Sequence, residues 1–472
     1  MIDKRTKIVA TIGPATSSYE QLRKLIKAGM DVVRINFSHG EHETHLEVVE
    51  RIRQLNQELG THIAVLGDLQ GPKLRVGDLG DGVKLKEGKT VILTTKEPVG
   101  EEIQVRYDSF AQDVKAGESI LIDDGKLKLE VVETDGKSKV KAKVIHGGLL
   151  QSRKGVNLPY TVINQPSLTP KDRIDLEFAI KHDFDWIALS FVRTAADMIE
   201  LKGIIQERNG KARVIAKIEK PQALTEIDEI ISESDGLMVA RGDLGVEIRM
   251  QEVPLVQKML IGKCRQQSKP VIVATQMMES MITNFQPTRA EVNDVANAVL
   301  DGTDAVMLSG ETSVGKYPIA VVRNMSSIIT HMEEHEEIYT PLPPIENNDP
   351  ERMISDSICE TAAKLARSSD AKGIVTMTHS GYTANKISSY RPKANIFVFT
   401  GNHSLLAKLS LVWGVKGFYY DKMVSTDHTI ADIKYILKKE GMVNEGDLLI
   451  NIASIPISEQ GMTNMLKLSK VK

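Results

Sequence analysis

Cysteine is nearly absent from this chain. Its 472 residues include two, Cys264 and Cys359, too few for a disulfide framework or a cysteine-built metal site. Net charge is nearly missing as well. The 60 Lys+Arg against 63 Asp+Glu leave −3, so no overall basic field points to nucleic acid or an anionic membrane as partner. No apolar run approaches the ~20 residues that a membrane-spanning helix needs. The first residues, Met1 to Pro14, turn at once into a strand pattern rather than a cleavable leader, which predicts a cytoplasmic protein. Repeats, coiled-coil patterns and low-complexity segments are also lacking. What is present is ordinary: 41% apolar and 26% charged residues exclude wholesale disorder. The length suggests roughly three domains at ~150 residues each.

Short β-branched runs alternate with amphipathic stretches from the start. KIVATIG (7–13) reads as a buried strand. Ser18 to Gly29 reads as a helix, with Leu22, Leu25 and Ile26 at helical spacing and Gly29 as its stop. DVVRINFS is a second strand, His42 to Leu59 a second helix, and IAVLGDL a third strand. From Gly71 to about Pro166 the helical period disappears. Alternating segments such as TVILTT, SILIDDGKLKLEVV and KVKAKVI, set among Gly and Asp turns, predict a small inserted antiparallel barrel or sandwich. Thr169-Pro170-Lys171-Asp172 restarts the alternation with a capping residue, a first-turn proline and an acid three residues on. Five further strand-like runs follow, at DWIALSF, ARVIAKIE, GLMVARG, KPVIVATQ and DAVMLSG. Eight strand–helix units predict a closed α/β barrel of the (β/α)8, or TIM, type. An open doubly wound sheet fits less well, because no GxGxxG opens its first helix. The proline-rich polar stretch 341–350 marks a boundary before a separate C-terminal α/β domain. The expected division is 1–70 with 168–340 as the barrel, 71–167 as a β-rich lid, and 345–472 as the C-terminal domain.

In such a barrel the reactive residues project from the C-terminal ends of the strands. Alternation puts Arg34, Asn36 and Ser38 on one face at the end of the second strand, suited to phosphate binding or to oxygen ligation of a cation. Lys217 and Glu219 share a face at the end of the fifth. Charges in strands buried on both sides are costly without a task, although a satisfied buried pair reads equally well from spacing alone. The sixth strand runs into Arg241-Gly242-Asp243, where backbone N–H groups suit an anion and the carboxylate suits a metal. Glu219 with Asp243 makes a hard-oxygen site of the kind magnesium uses together with substrate and water. Thr275 ends the seventh strand, with Glu311 after the eighth as a possible partner in a proton network, and Asp68 ends the third. Periodicity stops there. It does not separate a kinase from an aldolase, a lyase or a silent phosphometabolite sensor.

At these residues the sequence resembles the pyruvate kinase family. The resemblance runs through KIVATIGP, RINFSHG, GPKLR, RKGVNLP, IAKIE, VARGDLGVEI, ATQMMESM, PTRAEVNDVANAVLDG and DAVMLSGET. It implies phosphoryl transfer from phosphoenolpyruvate to ADP, giving pyruvate and ATP, with magnesium or in its place manganese, in a cytoplasmic homotetramer. By motif, Arg34 would hold the phosphoryl group and Lys217 would stabilise its transfer. Glu219 and Asp243 would bind the metal. Backbone N–H groups of Gly242 and Asp243, with Thr275, would bind the substrate carboxylate, and Thr275 would join in protonating enolpyruvate. Asn36, His39, Arg75 and Lys154 would lie on the nucleotide side, with the inserted domain, and Asp124 on it, closing as a lid.

Potassium-requiring members hold that ion at positions matching Asn36, Ser38, Asp68 and Leu69, in a loop reading D-T-K-G-P-E. Here the loop reads Asp68-Leu69-Gln70-Gly71-Pro72-Lys73, so the Lys73 ammonium replaces a carboxylate and predicts activity without potassium. Thr376, Thr378, His379, Ser380, Gly381 and Thr383 resemble a sugar-phosphate effector loop. The later loop from Ala453 to Gln460 lacks the tryptophan and arginine of fructose-bisphosphate-responsive members. His39, His42 and His45 are expected to diverge around a helix rather than to hold a metal, Cys264 to be a buried helix residue, and the methionines of 277–281 to pack the barrel.

Overall fold

Eight runs of small and β-branched residues form the strands Lys7–Thr11, Val32–Asn36, Ala64–Asp68, Trp186–Leu189, Arg213–Ile218, Gly236–Ala240, Val271–Ala274 and Ala305–Leu308. In this computed structural model, which describes residues 4–159, 161–163, 165–339, 350–422, 425–455 and 462–472, all eight pair in parallel. They close on themselves, with Lys7 opposite Ala305. Alternate residues of every strand, among them Val9, Leu66, Trp186 and Met238, fill the barrel interior as one buried cluster. The other face packs against the surrounding helices.

The helix ends obey local chemistry. Ser18 caps Tyr19–Ala28 by accepting the Gln21 N–H, and Gly29 stops that helix at φ 112°, a conformation glycine adopts without steric cost. The predicted helix His42–Leu59 is observed. Thr169 and Asp172 form a reciprocal capping box, and Asp172 also accepts the Gly71 N–H at 3.1 Å. At the opposite end of the barrel an unforeseen device repeats four times. Asp31, Asp185, Asp235 and Asp304 stand directly before the second, fourth, sixth and eighth strands. Each accepts a backbone N–H from the preceding strand, at Ile8, Val65, Val214 and Val271, over 2.8–3.1 Å.

Between the third and fourth strands, the inserted segment forms a six-stranded sheet and a two-stranded antiparallel ribbon around its own apolar cluster. The C-terminal segment forms a five-stranded sheet. Its parallel strands Gly373–Met377, Asn395–Thr400, Val415–Tyr419 and Leu448–Ala453 match the sequence runs. Met465–Lys470, absent from that reading, adds antiparallel to the last of them. This sheet seats on the floor of the barrel. Leu411 joins the interior cluster, and Arg391 and the Trp413 N–H both reach Asp304. The stretch 341–349 and residues 456–460 of the later loop lie outside the described residues. No helix of the described residues is long and apolar enough to cross a membrane.

Candidate functional site

The barrel mouth begins with Arg34. Its Nε donates to Asp68 Oδ2 at 2.7 Å and its Nη1 to the Thr11 hydroxyl at 2.8 Å. Lys217 Nζ lies 3.0 Å from both Asp68 Oδ1 and Glu219 Oε1 and donates to Ser190 Oγ at 2.6 Å. Glu219 Oε2 accepts the N–H of Phe191, a buried residue held at φ 56°. Positive φ at a bulky residue is strained, and such strain gathers at functional sites. Asp68 and Glu219 are each 1% exposed.

That burial sets the protonation. Burial disfavours the Lys217 ammonium, but Asp68 and Glu219 outweigh it and hold Lys217 protonated above the ordinary lysine range. Burial would likewise raise Asp68, yet Lys217 and Arg34 keep it below the usual carboxylate range. For Glu219, burial wins despite Lys217, and the neighbouring Asp243 and Asp68 add to the upward push. Buried Glu219 and partly exposed Asp243, which repel each other and each face an ammonium, suit a divalent cation. A set of two hard oxygens leaves room for the water and substrate ligands that magnesium keeps. No group of three or more His, Cys, Asp or Glu among the described residues forms a denser metal site.

Asp243 sits in the first turn of the helix Arg241–Glu247. Lys73 Nζ donates to its Oδ1 at 3.0 Å. Lys73 therefore faces the Glu219–Asp243 side of the site, neither turned to solvent nor joined to Asn36, Ser38 or Asp68 by any described contact. Ser38 N–H donates to Asn36 Oδ1 at 3.1 Å, and the Leu69 carbonyl accepts from Ser190 Oγ at 2.7 Å. Thr275 adopts φ 70°, rare for a β-branched residue. Its Oγ1 accepts the Gly242 N–H at 2.6 Å and donates to the Ala274 carbonyl at 2.6 Å. Gly242 and Thr275 are thus brought together, with the glycine N–H already engaged. Arg75 and Lys154 lie on facing segments, through the Arg75–Gly155 bridge, and Lys154 pairs with Asp123 at 2.8 Å. His39 lies in an exposed bend, its N–H donating to the Asn36 carbonyl at 3.2 Å.

Several expectations change. Glu311 accepts the N–H groups of Met278 and Ser309 and makes no direct described contact with Thr275. His42 and His45 converge instead of diverging. Three helical residues span nearly a full turn, and both rings pack edge-on against Phe37 while His42 bonds Asp175 at 2.8 Å. Cys264 is buried in its helix, and burial pushes its thiol far up; Met277, Met278 and Met281 are core residues. Sequence reasoning missed Ser190, although it ends the fourth strand and the same strand-end rule applies to it. It also missed Arg241, which grips Asp294 with both terminal nitrogens at 2.6 and 2.7 Å and donates to the Thr275 carbonyl at 2.8 Å.

A second concavity, of about 370 Å³, lies in the C-terminal domain, lined by Thr378, His379, Ser380, Thr383, Arg352 and Ser454 among others. It opens between the strand ends at Met377 and Ala453, where the strand order reverses, the usual ligand crevice of an open α/β sheet. Thr376 is buried at the end of its strand, and Thr378 Oγ1 accepts the N–H of Gly381 at 2.9 Å.

Residues 3–322 match the family described as pyruvate kinase, barrel domain, and 356–469 match pyruvate kinase, alpha/beta domain. A pyruvate kinase of Geobacillus stearothermophilus is 43% identical over 98% of this chain and 80% of its own length. One of Staphylococcus haemolyticus is 43% identical over 99% and 80%. A solved pyruvate kinase of Cryptosporidium parvum superposes with a TM-score of 0.91 at 35% identity, covering 99% of this chain and 96% of its own. Both domains are matched in order around a mouth of opposed ammonium and carboxylate groups, and the chain belongs to the pyruvate kinase family of phosphotransferases.

Proposed function

We propose that this chain moves the phosphoryl group of phosphoenolpyruvate to ADP, giving pyruvate and ATP in glycolysis, as a cytoplasmic homotetramer that uses magnesium (or manganese) and needs no potassium. The observation that carries the reading is the buried Lys217 ammonium, bonded at once to Asp68, Glu219 and Ser190 at the barrel mouth. Glu219 and Asp243 would hold the divalent ion, which supplies positive charge to the phosphoryl and enolate oxygens when bound. Lys217 stays charged throughout and stabilises the transferring group and the enolate oxygen. Arg34, oriented by Asp68 and Thr11, presents its remaining nitrogen to the phosphoryl oxygens. The backbone N–H groups of Asp243 and of Gly242, the latter on leaving Thr275 Oγ1, bind the substrate carboxylate together with Thr275, whose hydroxyl can relay a proton to enolpyruvate. Asn36, His39, Arg75 and Lys154 face the nucleotide. Segment 71–167 acts as a lid on the barrel of 1–70 and 168–340, and 345–472 forms a regulatory domain whose loop Thr376–Thr383 binds a phosphorylated effector.

Pyruvate formation from phosphoenolpyruvate should require both ADP and magnesium in a coupled assay. Turnover without ADP would instead point to lyase or aldolase chemistry. The potassium-independent reading rests on Lys73 standing in the loop where potassium-requiring members carry a glutamate; its ammonium pairs with Asp243 rather than lying among Asn36, Ser38 and Asp68. Replacing potassium by sodium or tetramethylammonium should leave the rate within a few-fold, and a tenfold fall would refute the idea. Lys73→Glu should shift the enzyme toward potassium dependence.

A further inference from the structure

One carboxylate outside the reacting groups ties together three segments that carry them. Glu247 closes the helix Arg241–Glu247, whose first turn holds Gly242 and Asp243. Its Oε1 accepts from Lys220 Nζ at 2.6 Å and from Asn157 Nδ2 at 2.8 Å. Lys220 directly follows Glu219, and Asn157 ends the short strand Val156–Asn157 by which the inserted segment returns past Lys154. All three side chains are buried. The same helix meets the inserted segment twice more. A Cβ built on Gly125 would stand 3.8 Å from Val246 Cγ1, and Lys73 reaches Asp243.

A buried ion pair is a poor way to gain stability, since apolar residues of the same volume usually hold two segments together as well. What the carboxylate adds is direction: two donors from different segments are fixed on one oxygen.

We propose that Glu247 is a positioning residue with two separable arms, an inference that rests on reading Glu219 and Asp243 as metal ligands and 71–167 as the lid. Through Lys220 and its own helix it holds Glu219 and Asp243 at the spacing a divalent ion requires. Through Asn157 it holds the inserted segment over the nucleotide.

The arms are tested in the full-length enzyme by titrating manganese alone, with electron paramagnetic resonance reading the free ion, alongside steady-state kinetics. Asn157→Ala leaves the Lys220–Glu247 pair intact. It should raise the KM for ADP at least fivefold, with kcat and manganese affinity within twofold of the unaltered enzyme. Glu247→Gln should raise the half-saturating manganese concentration at least tenfold. Because that variant strands a buried ammonium, the double variant Lys220→Met/Glu247→Gln accompanies it. Restored thermal stability with manganese affinity still weak supports positioning, whereas recovery of both together means that the pair served charge balance alone, and overturns the proposal. Parallel changes in kcat, KM and metal affinity for Asn157→Ala, or none, also overturn it. Glu219→Gln serves as reference. If it loses manganese while Glu247→Gln keeps it, the metal site stands and the positioning role falls; if it binds as tightly as the unaltered enzyme, both fall.

Discussion

Lys217 and Lys7 are both buried strand lysines, and their surroundings drive them in opposite directions. Lys217 meets two carboxylates and keeps its proton. Lys7 donates to the Val415 carbonyl at 3.0 Å. Burial, with Lys4 and Lys416 nearby, lowers it to about 8 although Asp31 and Glu333 pull upward. Lys217→Met should therefore lower kcat by roughly 10²–10³, the usual loss when one charge-stabilising donor is removed, with unchanged far-ultraviolet circular dichroism. Retention of more than a tenth of turnover would contradict its assigned role. Lys7 bears on stability instead. Between pH 8 and 10 the unfolded chain keeps this proton while the folded one has lost it, so the native state gains stability as pH rises and loses it as pH falls through about 8. Urea unfolding should show the native protein gaining roughly 3 kcal/mol relative to Lys7→Met between pH 7 and 10. A constant difference between the two would refute this.

The four aspartates at the barrel floor act as clasps between strand pairs, and they are not equivalent. Asp235 holds the Val214 N–H with a distant Lys202, whereas Asp304 also takes Arg391 and the Trp413 N–H. Asp235→Ala should cost about 1–2 kcal/mol, and Asp304→Ala about 3–5 kcal/mol because it strands a buried guanidinium; equal losses in denaturant unfolding would contradict this ranking. The strands themselves were legible because a strand buried on both faces must be an almost unbroken apolar run, and the capped helices because Ser18, Gly29 and Thr169 act within their own turn. The clasps were not, since an aspartate before a strand reads as an ordinary turn residue until its neighbour strand is known. The candidate site residues came from asking what ends each strand. Arg241 with Asp294, and Glu247 with Asn157 and Lys220, join residues 27 to 90 positions apart, and nothing local announces such pairs. The Lys73 partner was hidden for the same reason.

Across the whole molecule, the C-terminal domain completes the barrel as well as neighbouring it. Leu411 enters the interior cluster, Trp186 Nε1 donates to the Lys408 carbonyl, and Lys408 Nζ to the Lys211 carbonyl. Arg213, which begins the strand carrying Lys217, donates to the Ser380 carbonyl at 2.6 Å in the candidate effector loop. Leu411→Ala should lower the stability of barrel and C-terminal domain together, by about 2–5 kcal/mol as for other buried leucines. A chain ending at Tyr339 should be recovered mainly as aggregate, which a soluble, monodisperse fragment on gel filtration would disprove. Closure also has a schedule. The strand at Lys7 finds one of its two neighbours only at Ala305. At about 5–20 residues per second, a ribosome takes roughly 15–60 s to deliver that neighbour, and for all that time one flank of the earliest strand offers unpaired N–H and C=O groups to whatever lies near. The topology alone, whatever the stability of the finished barrel, thus sets how long that edge stays open.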